Sequence, residues 1–345
     1  MGKKLVMITG ITGQDGGYLA KFLLEKDYRV IGLYRRASSD TFYKLKEHGI
    51  YDKIELRDFE LLEFSNICRL LQTYQPDEFY NLAAQSFVGC SWEEPIYTAQ
   101  ADAIGVANIL EAIRCFSNKT KFYQASTSEM FGLVQEIPQK ETTPFHPRSP
   151  YGCAKLYAHW LTTNYRESFG MFACSGILFN HESPMRGKEF VTRKISDHLA
   201  QLSLGLTDKA LELGNLDAKR DWGFAGDYVE GMWLMLQQDK ADNYVLSTGE
   251  THPIRDFATL AAKYAGFELE WQGKGIDEIG VDKKTSKIIV KVNPQFFRPA
   301  EVELLVGDSS KARRVLGWQR KISYDGLCEM MVKSDIDRYK KRNKG

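Results

Sequence analysis

LVMITGITGQDG, at residues 5–16, is the stretch that decides how this chain is expected to fold. The apolar run Leu5–Thr9 predicts a short buried strand, and glycines at 10, 13 and 16 follow it directly. The next residues, Tyr18–Lys26, carry apolar side chains at helical spacing. A plain turn would also use glycines, but a strand, a glycine-rich turn and a helix in this order favour a loop whose backbone N–H groups hold the phosphates of a nucleotide. The spacing Gly-x-x-Gly-x-x-Gly, with no Gly-Lys-Ser or Gly-Lys-Thr after it, excludes a Walker loop.

Strand-like and helix-like segments alternate beyond this opening stretch, which predicts a parallel sheet with helices on both of its faces. Further strands are expected at Arg29–Leu33, Phe79–Ala83 and Lys121–Ser126, with helices near Leu61–Tyr74 and Asp102–Phe116. Beyond about residue 175 the alternation loosens, and the predicted segments are helices at Phe190–Leu204 and Asp227–Gln238, a strand at Tyr244–Ser247 that returns to the main sheet, a loop at Gly273–Thr285 and a short strand at Ile288–Val292. The predicted fold class is therefore α/β, with a Rossmann-type doubly wound parallel sheet.

The composition is that of an ordinary globular protein. The 345 residues include 46 Lys and Arg against 45 Asp and Glu, a formal charge of +1, and 43% are hydrophobic. These values exclude collagen, coiled-coil and disordered chains, and the balanced charge argues against nucleic-acid and membrane partners. We see no Cys-x-x-Cys, no His-Glu-x-x-His, no signal peptide and no membrane span, so we expect no metal site and a cytoplasmic location.

The end of the second predicted strand indicates which dinucleotide is bound. Folds that bind NAD usually place an acidic residue there to hold the ribose hydroxyls. This strand instead ends in Tyr34-Arg35-Arg36-Ala37-Ser38-Ser39, whose two guanidinium groups and two hydroxyls suit a 2′-phosphate. A solvated pair of arginines is the alternative, but the pattern favours NADP. Asp58, after the third strand, can hydrogen-bond the adenine or serve as an ordinary turn aspartate.

The segment Ser149-Pro150-Tyr151-Gly152-Cys153-Ala154-Lys155 predicts a helix whose first turns carry chemistry. Ser149 is expected to cap the helix and Pro150 to be its first residue. Tyr151 and Lys155 are then four residues apart and share a face, so that the ammonium can lower the pKa of the phenol. A tyrosine of that kind can act as a general base on a sugar hydroxyl, although an unremarkable amphipathic pair has the same spacing.

Thr127 and Glu129 close the predicted strand that starts at Lys121. They are two residues apart, so we expect them to project to one side if the strand geometry persists. Thr127 can hydrogen-bond the reacting hydroxyl. A carboxylate beside a neutral sugar carbon suggests that Glu129 removes and delivers a proton, whereas a glutamate that caps a turn is the alternative.

Several longer motifs place the chain near a known family. They are TGITGQDG at 9–16, YNLAAQS at 80–86, FYQASTSEMFG at 122–132, PRSPYGCAK at 147–155, NYRESFG at 164–170, GILFNHESP at 176–184, FVTRK at 190–194, KRDWG at 219–223 and FRPAEVE at 297–303. With these motifs the chain resembles the extended short-chain dehydrogenase/reductase superfamily and, within it, the GDP-mannose 4,6-dehydratase family. The resemblance covers about residues 3–335.

The resemblance implies a role for each matching position. It implies that Thr127, Tyr151 and Lys155 form the catalytic triad, with Glu129 as the acid/base of the dehydration. It implies contacts to NADP at Gly10, Thr12, Gly13, Gln14, Asp15, Gly16, Arg35, Arg36, Asp58, Phe59, Leu82, Ala83, Ala84, Gln85, Ser86, Tyr97, Lys155, His181 and Arg186. It implies contacts to GDP-mannose at Ser86, Thr127, Glu129, Asn180, Val191, Lys194, Gly214, Asn215, Arg220, Arg298 and Glu301. Arg220 and Arg298 can pair a diphosphate bidentately, and Glu301 can accept hydrogen bonds from guanine or ribose.

The implied reaction is the dehydration of GDP-D-mannose to GDP-4-keto-6-deoxy-D-mannose, the first step towards GDP-linked deoxysugars. Hydride moves from C4 to bound NADP and returns to C6. The alternatives are a GDP-4-keto-sugar epimerase or reductase, a dehydratase of a GDP-heptose and, more remotely, a non-catalytic NADP-binding regulatory protein. Glu129 after Ser-Thr-Ser favours the dehydratase.

The resemblance also implies a smaller, interleaved C-terminal substrate lobe. The NADP-binding domain is expected at 1–178, with returning segments at about 213–249 and 292–320, and the lobe at 179–212, 250–291 and 321–345. A homo-oligomer, either a tetramer or a dimer of dimers, is expected as well. Ser38–Tyr43 is a little shorter than the segment that contributes to the tetramer contact in many members, and Met185 stands where the family often has an arginine.

Overall fold

The structure is a computed structural model, and it describes residues 2–296 and 304–342. The chain divides into two compact units that each use several separate segments. The first unit comprises Met1–Phe179, Ala225–Gly249 and Gly307–Gln319. The second unit comprises Asn180–Phe224, Glu250–Val306 and Arg320–Gly345.

The strands are short, and most lie where a run of apolar residues is bounded by glycine or polar residues. In chain order they are β1 (Leu5–Thr9), β2 (Arg29–Tyr34), β3 (Glu55–Asp58), β4 (Glu78–Asn81), β5 (Lys121–Thr127), β6 (Ala173–Leu178), β7 (His181–Glu182), β8 (Leu211–Leu213), β9 (Lys219–Arg220), β10 (Gly223–Phe224), β11 (Asn243–Leu246), β12 (His252–Pro253), β13 (Leu269–Gln272), β14 (Ile279–Asp282) and β15 (Ile288–Val292).

The helices connect these strands and cover the main sheet. They are α1 (Gln14–Glu25), α2 (Tyr43–Glu47), α3 (Phe64–Tyr74), α4 (Cys90–Glu93), α5 (Pro95–Ala99), α6 (Gly105–Phe116), α7 (Pro150–Phe169), α8 (Val191–Ser203), α9 (Ala225–Leu236), α10 (Ile254–Ala265), α11 (Ser310–Leu316) and α12 (Tyr324–Arg342). A π-helical turn at Gln100–Ile104 precedes α6, and 3-10 turns lie at Tyr51–Lys53, Ser128–Met130, Gly275–Asp277 and Pro294–Phe296.

The first unit is built on one parallel sheet in the order β11-β6-β5-β4-β1-β2-β3. Successive side chains of its strands point to opposite faces. Val6 and Ile8 therefore share an apolar cluster with residues of α1 and α9, whereas Met7 shares another with residues of α3 and α6. Helices thus cover both faces, and the predicted α/β class with a Rossmann-type doubly wound sheet is confirmed. The strand order reverses at β1, and folds of this kind bind ligands at the carboxyl ends of the strands there.

Two segments return to the first unit after the chain has entered the second. The predicted returning strand is confirmed, because β11 pairs in parallel with β6 and places Tyr244 beside Gly176. The returning segments, Ala225–Gly249 and Gly307–Gln319, are shorter than the expected 213–249 and 292–320. The difference arises because β8 pairs with β15, and this pairing keeps both strands in the second unit.

The second unit has a small mixed sheet in the order β13-β14-β15-β8, and α8, α10 and α12 contribute to its apolar core. The loop predicted at Gly273–Thr285 is wrong in part, since β14 lies within it and pairs antiparallel with both β13 and β15. The glycine and charged residues of this segment are typical of a loop, so its composition does not predict a strand. Strand β14 is stabilised instead by pairing on both of its edges. Gly280 allows this close approach, because an added Cβ would lie 3.3 Å from the Trp271 ring and from the Val290 Cβ. Among the described residues, no helix is both long and apolar enough to cross a membrane.

Candidate functional site

The glycine-rich turn after β1 packs against the loop after β4. Gly10 has φ of +65°, and an added Cβ would lie 2.9 Å from the Ala83 nitrogen and 3.0 Å from the Leu82 carbonyl group. At Gly16 an added Cβ would lie only 2.4 Å from the Gly10 oxygen. The Thr9 hydroxyl joins the two loops, because it accepts hydrogen bonds of 3.0 Å from the N–H groups of Leu82 and Ala83. Side chains larger than hydrogen are therefore excluded from the inner surface of this turn.

Helix α1 begins directly after the turn, with Gly13 at its cap position. Glycine has no side chain with which to cap the first N–H groups, and the N-terminus of a helix attracts anionic groups. Gln14 and Asp15 lie in the first turn, and Thr12 is half-buried in the loop before it. The backbone here has the form that a pyrophosphate-binding turn requires.

Arg35 and Arg36 both lie exposed at the end of β2. Arg35 Nη1 donates a hydrogen bond of 2.7 Å to the Tyr97 hydroxyl, so two positions that are 62 residues apart in the chain meet here. Asp58, at the end of β3, hydrogen-bonds the Tyr34 hydroxyl, and this bond raises the pKa of Tyr34. The predicted cofactor residues at the ends of β2 and β3 thus lie on neighbouring strands.

The loop after β4 contains the remaining predicted cofactor positions of the first unit, Leu82, Ala83, Ala84, Gln85 and Ser86. The Gln85 N–H donates a hydrogen bond of 2.7 Å to Asp102 Oδ1, and the Gln85 amide contacts Thr98 Oγ1 at 3.2 Å. Asp102 is buried in the π-helical turn, and burial raises its pKa to about 6, although the charge of Lys155 opposes the shift. Sequence reasoning missed Asp102. The available signal was an aspartate at the start of an otherwise apolar helix.

Helix α7 begins as predicted. The Ser149 hydroxyl accepts a hydrogen bond of 3.0 Å from the Gly152 N–H, and Pro150 is the first helical residue. Tyr151 and Lys155 are both buried, and the Lys155 Nζ lies 5.8 Å from the centre of the Tyr151 ring. The geometry therefore brings together the two residues that the sequence placed on one helix face.

Lys155 also connects α7 to the main sheet. Its Nζ donates a hydrogen bond of 2.7 Å to the main-chain oxygen of Ala125 in β5. Burial lowers the pKa of Lys155, and the nearby carboxylates of Asp102 and Asp15 counteract part of that effect. The ammonium is therefore held at the carboxyl half of β5, close in the chain to Thr127.

Thr127 and Glu129 are not two residues of one strand, so the condition under which they were expected to project to one side is not met. Strand β5 ends at Thr127, whose hydroxyl accepts a hydrogen bond of 3.2 Å from the Glu129 N–H and starts a 3-10 turn. A threonine hydroxyl that captures a nearby backbone N–H competes with continuation of the strand. The turn lies against the start of α7, because a Cβ added to Gly152 would lie 2.9 Å from the Glu129 oxygen. The four predicted catalytic residues therefore belong to two elements in direct contact.

In the second unit, Asn180 and His181 lie at the edge of a two-stranded pair. The Asn180 oxygen accepts a hydrogen bond of 2.9 Å from the Gly223 N–H, and His181 is buried in β7 beside Gly223. Arg186 follows in the turn before α8. Its Nε lies 3.1 Å from the Glu182 carboxylate, and its guanidinium lies over the Phe190 ring.

A second group in this unit surrounds Phe296. The Lys194 Nζ lies 3.7 Å from the centre of its ring, and burial lowers the pKa of Lys194. Gly214 approaches the same residue, since an added Cβ would lie 2.6 Å from the Phe296 oxygen. Sequence reasoning missed Phe296, although it directly precedes one of the quoted motifs. The structure thus brings together Lys194 and Gly214, which are distant in sequence.

The other predicted substrate residues are more dispersed. Val191 begins α8, and the Asn215 side chain accepts a hydrogen bond of 3.0 Å from the Asp217 N–H. Arg220 is buried in β9, where its Nη1 donates to the Lys219 oxygen at 2.8 Å. Arg298 and Glu301 lie outside the described residues. In the part of the chain that the structure describes, no three His, Cys, Asp or Glu side chains are grouped closely enough to hold a metal ion.

The chain is similar to known proteins over most of its length. The family model described as GDP-mannose 4,6 dehydratase matches residues 7–331. GDP-mannose 4,6-dehydratase of Yersinia enterocolitica is 53% identical over 98% of this chain and 95% of its own length. GDP-mannose 4,6 dehydratase of Homo sapiens is 48% identical over 98% of this chain and 93% of its own length.

A solved structure of lower identity shares the fold. RMD from Pseudomonas aeruginosa, complexed with NADPH, superposes with a TM-score of 0.76 at 21% identity and covers 97% of this chain and 100% of its own. At this identity the similarity concerns the fold alone. The family match over residues 7–331 and the relatives at 53% and 48% identity show more: this chain belongs to the GDP-mannose 4,6-dehydratase family.

Proposed function

We propose that this protein is a lyase that converts GDP-D-mannose to GDP-4-keto-6-deoxy-D-mannose and water. The observation that carries the proposal is the contact between two elements of the first unit. One is the turn that holds Thr127 and Glu129, and the other is the start of α7 with Tyr151 and Lys155. This contact provides a general base for a hydroxyl, Tyr151, on the element next to a carboxylate for a carbon-bound proton, Glu129. The pair suits the reaction of a family of 4,6-dehydratases.

NADP is the proposed cofactor. The glycine turn fits a pyrophosphate, because its backbone is packed so tightly that there is no room for a Cβ at Gly10 or Gly16. A tight turn without side chains lets a pyrophosphate approach the backbone closely. Arg35 and Arg36 at the end of β2 would hold the 2′-phosphate, Asp58 the adenine, and Tyr97 would orient Arg35. By the resemblance, His181 and Arg186 are also proposed to contact NADP. When bound, the nicotinamide supplies a reversible hydride acceptor that returns the hydride taken from the sugar.

The residues of this chain would then move the protons. Tyr151 accepts the proton of the C4 hydroxyl, with the Lys155 ammonium favouring the phenolate form and Thr127 hydrogen-bonded to the same hydroxyl oxygen. A ketone at C4 acidifies the C5 proton, which Glu129 removes. Glu129 then protonates the C6 hydroxyl as it leaves as water. When the hydride returns to C6, the proton held by Tyr151 goes to C5, so all protons are accounted for and the net change is the loss of one water molecule.

The second unit is proposed to bind the GDP-sugar. Lys194, next to Phe296, supplies a positive charge, and the buried Arg220 supplies a guanidinium suited to a diphosphate. Asn180, Val191, Gly214 and Asn215 would complete the contacts of the described residues. Arg298 and Glu301, by resemblance, belong to the same group.

A homo-oligomer is proposed from the exposed surface of α7. Trp160 and Tyr157 keep 55% and 47% of their surface exposed, and they border a groove of about 490 Å³ that is also lined by Pro147, Cys153, Leu156, Leu161 and Asn164. An exposed apolar surface of this kind marks an interaction site more often than a surface that remains in water. The resemblance to an oligomeric family makes a second copy of the chain its expected occupant.

The assay that tests the reaction mixes the protein with GDP-mannose and substoichiometric NADP⁺. We expect more 4-keto-6-deoxy product than the NADP⁺ present, without accumulation of NADPH, because the hydride returns to the sugar. Glu129→Gln should abolish formation of the 4-keto-6-deoxy product. Glu25→Gln, at an exposed position of α1, should form this product at the rate of the parent. Net NADPH consumption or a 4-epimer as the product would replace the proposal with a reductase or an epimerase.

A further inference from the structure

A buried arginine of the second unit holds the turn that carries Arg186. Arg193, on α8, is only 5% exposed. Its Nη1 donates hydrogen bonds to the main-chain oxygens of Pro184, at 2.5 Å, and of Arg186, at 3.0 Å. The Arg186 N–H closes the same turn with a bond of 3.0 Å to the Ser183 oxygen. Arg193 therefore fixes the backbone of this turn from within the unit.

Asp335, on α12, holds the Arg193 guanidinium in the orientation that this role requires. The aspartate is fully buried, and its two oxygens accept from the Arg193 Nη2 at 2.6 Å and Nε at 3.0 Å. The Ser196 hydroxyl and the Arg338 Nη1 donate to the same carboxylate at 2.7 and 2.8 Å. Because the bidentate pair occupies Nε and Nη2, Nη1 is directed to the two carbonyls of the turn.

The Arg186 side chain is restrained as well. Its Nε lies 3.1 Å from the Glu182 carboxylate, and its guanidinium carbon lies 3.5 Å from the centre of the Phe190 ring. The Thr192 hydroxyl donates a hydrogen bond of 2.5 Å to the same Glu182 oxygen. With its backbone held by Arg193 and its side chain held on two sides, Arg186 has little orientational freedom left to lose when it binds an anion.

We propose that Arg193 is a positioning residue that keeps Arg186 oriented for the anionic groups of the cofactor, and that Asp335 orients Arg193. The inference rests on the proposed function, in which Arg186 contacts NADP. A buried ion pair gives little net stability compared with apolar residues of similar volume, because both charges must leave water. A binding group that is oriented in advance, by contrast, raises affinity by reducing the ordering required on binding.

The first test measures NADP⁺ binding by calorimetry for the full-length protein and for Arg193→Lys. A lysine can pair with Asp335, but its single nitrogen cannot also serve two carbonyls in the planar geometry of arginine. We expect the Kd of NADP⁺ to rise about tenfold, with kcat at saturating NADP⁺ within about twofold of the parent, since Arg186 is not placed at the reacting atoms. Ser196→Ala is the matched control: it removes one bond to Asp335 but none to the turn, so its Kd should equal that of the parent.

A double-mutant cycle separates positioning from general support of the fold. If Arg193 acts through Arg186, then Arg193→Lys should have no further effect on NADP⁺ affinity in the Arg186→Gln background. Additive effects, or a Kd of Arg193→Lys equal to that of the parent, would overturn the inference.

A second variant covers the case in which Arg193→Lys does not fold. Arg193→Met with Asp335→Leu and Arg338→Met replaces all three charges of this cluster by apolar groups, should fold, and should bind NADP⁺ as weakly as Arg193→Lys is expected to. Parental affinity of this triple variant would also overturn the inference. A parent protein that binds no NADP⁺ would instead show that the proposed function is wrong, and the inference would fall with it.

Discussion

The Lys155 Nζ and the main-chain oxygen of Ala125 are joined by a hydrogen bond of 2.7 Å, so helix α7, which carries two of the proposed catalytic residues, is attached to β5 just before the strand ends at Thr127. Burial lowers the pKa of this lysine, and its desolvation opposes folding.

Lys155→Met is therefore expected to separate activity from stability. Removing a buried charge offsets much of the loss of the bond to Ala125, so the free energy of unfolding should change by less than about 2 kcal/mol. The loss of the ammonium beside Tyr151 should lower kcat by about 10²-fold or more. Urea denaturation and steady-state kinetics on the same preparation provide the measurement, and an unchanged kcat would contradict the role of Lys155.

Thr127→Val should disturb the turn that carries Glu129. The variant keeps the shape of the side chain but removes the hydroxyl that accepts from the Glu129 N–H at 3.2 Å. We expect kcat to fall by about 10²-fold and the KM for GDP-mannose to change much less, since the hydroxyl is proposed to hydrogen-bond the reacting hydroxyl of the sugar. Thr127→Ser retains the oxygen and serves as the control. Parental kcat in Thr127→Val together with a loss in Thr127→Ser would point to packing of the methyl group instead.

Gly16→Ala should weaken cofactor binding, whereas Gly17→Ala in the same helix should not. An added Cβ at position 16 would lie 2.4 Å from the Gly10 oxygen and 2.7 Å from the Ile11 Cα, both of which are backbone atoms of the phosphate turn. At position 17 the nearest atom would be in the His48 ring, at 3.1 Å, and a side chain can move. We expect at least about a tenfold higher Kd of NADP⁺ for Gly16→Ala alone, measured by calorimetry. Similar affinities in both variants would remove the turn from the proposed cofactor site.

His159→Gln should reduce the decrease in the free energy of unfolding as the pH falls from 6.5 to 4. Burial lowers the pKa of His159 to about 4, and its ring nitrogens lie 3.2 Å from the Ser126 hydroxyl and 3.4 Å from the Asn243 amide. Because the folded-state pKa lies below the unfolded value of about 6.5, the stability that depends on neutral His159 is complete above pH 6.5 and is lost as the pH falls towards 4. Over that interval the parent should lose about 3 kcal/mol more than the variant in urea denaturation. Parallel stability curves would show that His159 does not titrate as the geometry indicates.

Trp160→Glu should dissociate the proposed homo-oligomer. The side chain is 55% exposed on α7, next to the apolar groove, and a charge in the centre of an apolar interface is left without compensation. Light scattering should show a smaller assembly for this variant at equal protein concentration. Trp92→Glu, which is also exposed but outside the residues that line the groove, is the matched comparison. If both variants form assemblies of the same mass as the parent protein, the α7 surface is not the contact between subunits.

Local sequence determined the parts of the protein that depend on neighbouring residues. Leu5–Thr9, the glycines after it and the helix that follows were predictable, because a buried strand and a positive φ at Gly10 leave few alternatives. The start of α7 was predictable for a similar reason, since Ser149 and Pro150 are a cap and a first helical residue by their own chemistry. The fold class followed from the alternation of such segments.

Only the tertiary structure decided which distant residues meet. Arg193 and Asp335 are 142 residues apart in the chain. Burial raises the pKa of Asp102 and the charge of Lys155 lowers it, and neither effect can be predicted from the residues next to Asp102 in sequence. Strand β14 likewise depends on pairing with β13 and β15, and its own composition resembles a loop. The physical reason is common to all three: desolvation and cross-strand pairing depend on what the rest of the chain places nearby, whereas capping and backbone preference act between neighbours in sequence.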